Sequence, residues 1–202
     1  MKVVIIGAGS VAYTVADIIK RDHNFILEGF VGTVEEEKKF KEKDLYGLGT
    51  FLGDHSLLPH LHNDGVFGFI VAVGDNYLRE KYYYECQQYN LFPVNIVSSD
   101  VKMGLNVKLG KGVIICPGTI LGSGVSIGNN VVIETGVICN VNSEIGDHSN
   151  IRSGTIISGG LNIGKNVYIG SRCSINADIG KNNKIPIGEI VTAKIEDKFR
   201  EE

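Results

Sequence analysis

Positive charge is in short supply: 20 Lys and Arg stand against 23 Asp and Glu, a net charge of −3, and nowhere do the basic residues gather into a stripe. A nucleic-acid footprint or a hold on an anionic membrane surface needs such a stripe, so neither is expected as a partner. Cysteine is scarce too. Cys86, Cys116, Cys139 and Cys173 are the only four, and no two stand in CxxC spacing, which argues against zinc-ribbon and thioredoxin-like patterns. Scattered cysteines suit a reducing, cytoplasmic setting. No apolar run approaches the roughly 18 residues that a membrane helix requires. The apolar start MKVVIIGAGS runs straight into a glycine turn without a cleavage pattern, so it reads as a buried strand and not as a signal peptide. His55, His60 and His62 lie close together in DHSLLPHLHND. No acidic or cysteine constellation completes a set of ligands, so no metal is expected there.

What remains is a chain of 202 residues, 43% hydrophobic, long enough for two modest domains with real cores. Its two halves differ in grammar. Residues 1–97 alternate short apolar runs with helical stretches. Strands are expected at Val3–Ile6, Phe25–Val31, Phe67–Val73 and Val94–Val97. Helices are expected over Ser10–Arg21, with Ser10 as N-cap, and over about Asn76–Tyr89, with Glu35–Lys43 a charged helix or a solvated loop. Alternation of this kind indicates a parallel α/β sheet.

From Met103 onward every sixth residue is apolar, through Leu109, Ile115, Leu121, Ile127, Ile133, Cys139, Ile145, Ile151, Ile157, Ile163 and Ile169 to Ile175. Two places before each stands a small or β-branched residue, with Leu161 the exception, and glycine often follows, as at Gly110, Gly128, Gly146 and Gly164. Strands repeat every two residues and helices every 3.6, so neither makes a period of six. A triangular parallel β-helix does. Each hexad supplies a short strand and a turn, three hexads make a coil, and the aliphatic residue points inward with its small partner. The glycine is expected to relieve the backbone at the corner. The expected architecture is therefore an α/β domain with a short parallel sheet over residues 1–97 and a left-handed parallel β-helix over 98–178. A cap and tail are expected over 179–202, where the spacing lapses.

With these hexads, the stretches VVIIGAGSVAYTVADII, LEGFVG, FIVAVGDNYLREKYYYE and VSIGNNVVIETGVICNVNSEIGDHSNI give the chain a resemblance to the sugar O- and N-acetyltransferases related to sialic-acid O-acetyltransferase. The resemblance implies a homotrimer, acetyl-CoA as acyl donor in grooves between neighbouring β-helices, and a sugar nucleotide held by the first domain. It places the family's histidine base at Val141 and the acidic neighbour at Asn142. A second histidine, which contacts acetyl-CoA, falls at Asn150, and Gly159, Gly170 and Ser171 fall around the same cofactor. Gly32 and Thr33 stand where the family has an acidic pair, and Ser98, Ser99 and Asp100 replace its histidine-proline-serine junction.

Several residues are candidates for chemistry. Gly7-Ala8-Gly9-Ser10-Val11-Ala12 is a G-x-G-x-x-A turn from strand to helix. Its amides can hold an anion, or its glycines can simply serve a tight turn. The resemblance adds Gly9, Ser10 and Val11 to a sugar-nucleotide site. Asp75 follows a buried strand and can face a ligand or cap the next helix. His148 is the only histidine in the repeat and has Asp147 and Glu144 nearby. It is the one catalytic candidate, at a different corner from Val141, or else an exposed corner histidine. Cys139 and Cys173 occupy inward positions and read as core.

The leading expectation is acetyl-CoA-dependent transfer to a nucleotide-linked amino sugar or related glycan precursor. The alternative is a catalytically impaired trimeric binding or assembly protein on the same scaffold. An NAD-linked oxidoreductase rests on the glycine motif alone, without the acidic residue that such a site takes from the end of strand two.

Overall fold

In the computed structural model, which describes residues 1–22, 25–40 and 47–199, the chain divides into two compact units, Met1–Ile96 and Val97–Glu202. The first contains β1 (Lys2–Ile6), α1 (Ser10–Asp22), β2 (Ile26–Gly32), α2 (Val34–Phe40), β3 (Phe51–Asp54), α3 (Leu58–Leu61), β4 (Val66–Val71), α4 (Asn76–Gln88) and β5 (Phe92–Pro93). The sheet order is β3-β2-β1-β4-β5 and every pairing is parallel. Val3, Val4, Ile5 and Ile6 in β1 are fully buried, as a central parallel strand covered on both faces should be. Helix α1 buries Val11, Ala12, Val15, Ala16, Ile18 and Ile19, a stripe with helical spacing. Val4, Ile6, Phe69 and Val71 pack with Tyr83 and Cys86 of α4. The expected strands and helices are present with shifts of a residue or two, except Val94–Val97: the sheet strand is Phe92–Pro93, and Ile96–Val97 instead pairs with Ile114–Ile115 in the β-helix. Of the charged stretch Glu35–Lys43, residues 41–43 lie outside the described residues. β3 is an addition: four residues interrupted by Gly53 offer no alternation to read.

The second unit is the left-handed parallel β-helix. Its two-residue strands stack into three faces. One runs through Lys102–Met103, Ile120–Leu121, Ile138–Cys139, Ile156–Ile157, Ser174–Ile175 and Ile190–Val191. A second runs through Lys108–Leu109, Ser126–Ile127, Glu144–Ile145 and Asn162–Ile163, and the third through Ile96–Val97, Ile114–Ile115, Val132–Ile133, Asn150–Ile151, Tyr168–Ile169 and Lys184–Ile185. The register advances by one coil of three hexads, so Leu121 lies beside Cys139 and Ile133 beside Ile151. The inward residues form one continuous core. Inward hydroxyls are satisfied by backbone carbonyls: Thr155 Oγ1 donates to Gly170 O at 2.9 Å and Ser149 Oγ to Gly164 O at 2.9 Å, both of the next coil, and Ser143 Oγ to Asn140 O of its own at 2.8 Å.

Two expectations are corrected. The coils do not give way to a cap at residue 179. Ile163 bridges Ile179, Ile179 bridges Ile195, and Ser174 pairs with Ile190. Four residues instead of six separate Ile175 from Ile179, so the repeat breaks in sequence while the stacking continues. At the short corner Asp178 Oδ1 accepts from Asn162 N of the preceding coil at 2.9 Å.

The glycines after the apolar residues also serve a different purpose from the one expected. None of Gly110, Gly128, Gly146 or Gly164 has a positive φ. A Cβ on Gly146 would instead lie 2.6 Å from Lys165 N of the next coil, and one on Gly128 2.7 Å from Asp147 N. Closeness between coils requires glycine there. The left-handed backbone sits further on, at the second turn residue, where Gly118, Asn130, His148 and Gly154 have φ of 72, 53, 59 and 72°. Glycine tolerates that region without penalty, and Asn and His are enriched in it.

Candidate functional site

Two places collect the expected site residues, one in each unit. In the first unit it is the carboxyl end of the parallel sheet, where ligands of open α/β sheets bind. Gly7 follows β1 with φ +108°, and a Cβ there would meet Val73 Cγ2 at 2.9 Å, so the turn itself demands it. Gly9 differs: its φ is not positive, and a Cβ would meet nothing within 4 Å. Gly74, after β4, is alike in both respects. Packing does not account for these two glycines. Gly9 and Ser10 are exposed, whereas Val11 is buried with the core stripe of α1, leaving only its backbone for a ligand. Asp75 is exposed and caps α4, its Oδ1 accepting from Leu78 N at 2.9 Å.

The decisive side chain here is one that the sequence reading passed over. Glu36 Oε2 accepts from Thr33 N at 2.8 Å, and Thr33 Oγ1 accepts from Glu36 N at 3.2 Å. This is a reciprocal capping box at the start of α2, and the T-x-x-E spacing of Thr33 to Glu36 is its signature. The other oxygen, Oε1, accepts from Ala8 N at 3.3 Å. A carboxylate thus stands at the end of β2, beside Gly32 and Thr33, and takes the central amide of the glycine turn. Each oxygen keeps one further lone-pair direction for hydroxyl donors. A phosphate on Ala8 N–H would meet a like charge at contact distance, which costs more as water is excluded.

The surrounding polar groups are engaged structurally. The His55 ring lies 4.3 Å from Tyr82, with Nδ1 3.4 Å from Glu85 Oε2. Burial, then Glu85, Glu36 and Glu35, push the Tyr82 hydroxyl above its ordinary range. Tyr83 is in the core and Tyr84 is exposed. His60 is exposed and His62 packs edge-on against Phe67. Among the described residues, no group of three His, Cys, Asp or Glu side chains is placed to hold a metal ion.

In the second unit, Val141 stands 54% exposed at the corner that follows Cys139. Gly159 occupies the same corner one coil on: a Cβ on it would meet Val141 O at 3.0 Å. Nothing at this corner accepts a proton readily. Asn140 Nδ2 donates to Ile157 O, and Asn142 is the left-handed turn residue. His148 belongs to a different corner, as the hexad count implied, but it is not exposed. It is 1% exposed, and its Nδ1 lies 2.8 Å from Asn130 Nδ2, the residue one coil before it. The contact ties one ring nitrogen to the preceding coil. Asp147 is turned to the preceding coil, where its Oδ1 accepts from Asn129 N at 2.6 Å. The pair therefore does not form an acid-supported base facing open solvent.

The expected acetyl-CoA residues are dispersed. Asn150 and Gly170 are buried, while Gly159 is exposed and Ser171 half-buried. Gly159 and Ser171 lie at the two corners that bound the face of Ile156 and Ser174. On Gly170 a Cβ would stand 2.6 Å from Ile187 N, so that glycine answers to coil stacking. No cysteine is poised as a nucleophile. All four are buried, and burial pushes the thiols of Cys116 and Cys139 up to about 12.

Comparison with known proteins agrees with this two-part construction. Residues 2–86 match the model of the PglD N-terminal domain. No curated protein sequence matches the chain. Among solved structures, it is similar to a variant of perosamine N-acetyltransferase from Caulobacter crescentus, one histidine replaced by asparagine, in complex with CoA and GDP-perosamine. The identity is 23%, the TM-score 0.87, and the match covers 98% of this chain and 91% of that one. The acetyltransferase domain of PglB from Neisseria gonorrhoeae is 18% identical with a TM-score of 0.72, over 92% of this chain and 96% of that one. WeeI from Acinetobacter baumannii is 17% identical with a TM-score of 0.68, over 94% and 96%. At such identities the likeness establishes the fold.

Proposed function

We propose that this protein is an acetyl-CoA-dependent acetyltransferase that modifies an amine on a nucleotide-linked sugar. The observation that carries the reading is the union, in one chain, of a glycine-turn sheet mouth with open space at Gly9 and Gly74 and a β-helix. The structural neighbours built in the same way include a sugar N-acetyltransferase complexed with CoA and a GDP-sugar. The nucleotide lies against Gly9, Ser10, the Val11 amide and Asp75, with the Glu36 carboxylate receiving hydroxyl groups. Acetyl-CoA lies along the corners that carry Gly159 and Ser171. Asn150 and Gly170 support that groove from behind. The ladder of Ile120, Ile156 and Ile190, 40, 45 and 65% exposed on one face of the β-helix, suits packing of three copies about an axis, which completes the cofactor groove.

In the reaction, the amine lone pair attacks the thioester carbonyl, the tetrahedral adduct collapses, and the carbon–sulfur bond breaks. The products are an N-acetyl sugar and the CoA thiol, and the proton released by nitrogen ends on sulfur or in solvent. Val141 supplies no base at the exposed corner, and His148 is enclosed. The acceptor is therefore an amine that arrives unprotonated, because a hydroxyl would need proton removal in the transition state. The test is thiol release from acetyl-CoA with GDP- and UDP-linked amino sugars and their hydroxy counterparts. Transfer to an amino sugar alone is expected. Transfer confined to hydroxyl acceptors, or none to any sugar nucleotide that binds, would overturn the reading.

A further inference from the structure

Arg79 is fully buried and heads the largest buried side chains of the described residues. A buried guanidinium is an expensive way to fill space, since a well-packed apolar side chain of similar volume often stabilises as much or more. Its hydrogen bonds show where the group is directed. Nη1 donates to Val73 O at 3.0 Å and reaches Gly74 O at 3.5 Å, and Nη2 donates to Asn76 Oδ1 at 2.9 Å. Val73 and Gly74 belong to the turn between β4 and α4, and Asn76 is the first residue of α4. The same turn is held from the helix side by Arg79 N on Asp75 O at 2.9 Å and by Asp75 Oδ1 on Leu78 N.

A trans peptide sets C=O and N–H antiparallel. With the Val73 and Gly74 carbonyls drawn toward the guanidinium, the N–H groups of Gly74 and Asp75 project to the opposite side. Gly74 has an ordinary φ, and a Cβ on it would meet nothing within 4 Å. The turn thus directs two amides away from the guanidinium, next to the open space at Gly74. Desolvation lowers the Arg79 pKa to about 10, against the pull of Asp75 and Glu80, so the group stays cationic at neutral pH and polarises both peptides.

We propose that Arg79 is a positioning residue for the sugar nucleotide: it pins the Gly74–Asp75 turn so that these two amides face the bound substrate. The proposal rests on the reading of the sheet mouth as the sugar-nucleotide site. Arg79 acts through the turn and touches neither the substrate nor acetyl-CoA.

The test uses Arg79→Lys, Arg79→Met and Asn76→Ala, each with thermal unfolding recorded alongside steady-state kinetics. Loss of the charge-assisted bonds should raise the KM for the sugar nucleotide about tenfold in Arg79→Met. Smaller rises are expected in Arg79→Lys, which keeps a charge but not the fork, and in Asn76→Ala. The KM for acetyl-CoA should stay unchanged throughout. Gly74→Val keeps the test decisive if the arginine variants do not fold, because it has room in the structure yet fills the open space. It should weaken the sugar nucleotide by a similar factor without lowering the melting temperature. Folded variants with an unaltered sugar-nucleotide KM, or an equal rise in both KM values, would overturn the proposal. If the unaltered protein binds no sugar nucleotide, the functional reading fails first, and this inference fails with it.

Discussion

The two units reach order by opposite routes. In the β-helix each layer repeats the layer before it: Ile133 lies beside Ile151, Ile151 beside Ile169, and Ile169 beside Ile185. Side-chain requirements recur at a fixed interval and can be read from the sequence alone. In the sheet unit, neighbours come from distant parts of the chain, as with Glu36 and Ala8 or His55 and Glu85, and no interval announces them. The regular unit is stable through repetition, and its corners vary little. The irregular unit concentrates unlike groups at one end of a sheet, which is what recognition of a particular ligand needs.

Substitutions that respect one logic and violate the other sharpen this contrast. The largest expected effect is in the stacked unit. Gly146→Ala puts a Cβ 2.6 Å from the Lys165 nitrogen and should cost about 3 kcal/mol, at the upper end of overpacking penalties. Gly154→Ala has φ +72° and only Arg172 Cγ nearby, at 3.7 Å, so it should cost about 1 kcal/mol for the left-handed backbone alone, and Gly154→Asn less. Chemical denaturation of the three variants checks the order. Equal losses at Gly146 and Gly154 would mean that the coils are less tightly stacked than described.

Chemistry at the exposed corner follows. Val141→His combined with Asn142→Asp sets an imidazole and an acid where an acceptor can approach. A positioned base is typically worth about 10²–10⁴-fold, and a rise toward the lower end is expected in kcat with an amino-sugar acceptor. His148→Ala is the control. It removes a buried partner of Asn130 and should lower stability while leaving kcat of the folded protein within a few-fold. A folded His148→Ala protein that has lost transfer would make His148 the base.

In the sheet unit, Glu36→Ala removes both the cap on α2 and the bond to Ala8. A stability loss of about 1 kcal/mol is expected from the cap, together with roughly tenfold weaker binding of a ribonucleotide-linked sugar, the scale of a lost charged hydrogen bond. Tighter binding in Glu36→Ala would show instead that the carboxylate blocks a phosphate position. Calorimetry with the sugar nucleotide separates the two results.

Much of this molecule was legible in advance, for physical reasons that also explain the omissions. The run from Met103 to Ile175 declares the β-helix because identical layers leave identical marks. The continuation through Ile179, Ile185, Val191 and Ile195 was hidden by the loss of two residues at a corner, which shifts the phase without ending the stack. β3 escaped notice because Gly53 interrupts a four-residue strand whose support lies in β2. The Glu36 carboxylate was missed where an acidic residue was sought directly after β2. It arrives from inside the next helix, and the capping-box spacing Thr33 to Glu36 was the available sign. The burial of His148 could not be read from a turn position that exposes its occupant at other corners, such as Asn142 and Arg172.

Acetyl-CoA as the acyl donor can be tested without knowing the acceptor. Titration calorimetry of the protein with acetyl-CoA should give saturable binding at one site per chain. Gly159→Phe fills the corner beside Val141, with its Cβ 3.0 Å from Val141 O, and should abolish that binding in protein that circular dichroism shows to be folded. No binding of acetyl-CoA, or binding that Gly159→Phe leaves intact, would contradict a cofactor groove along the Gly159 corner.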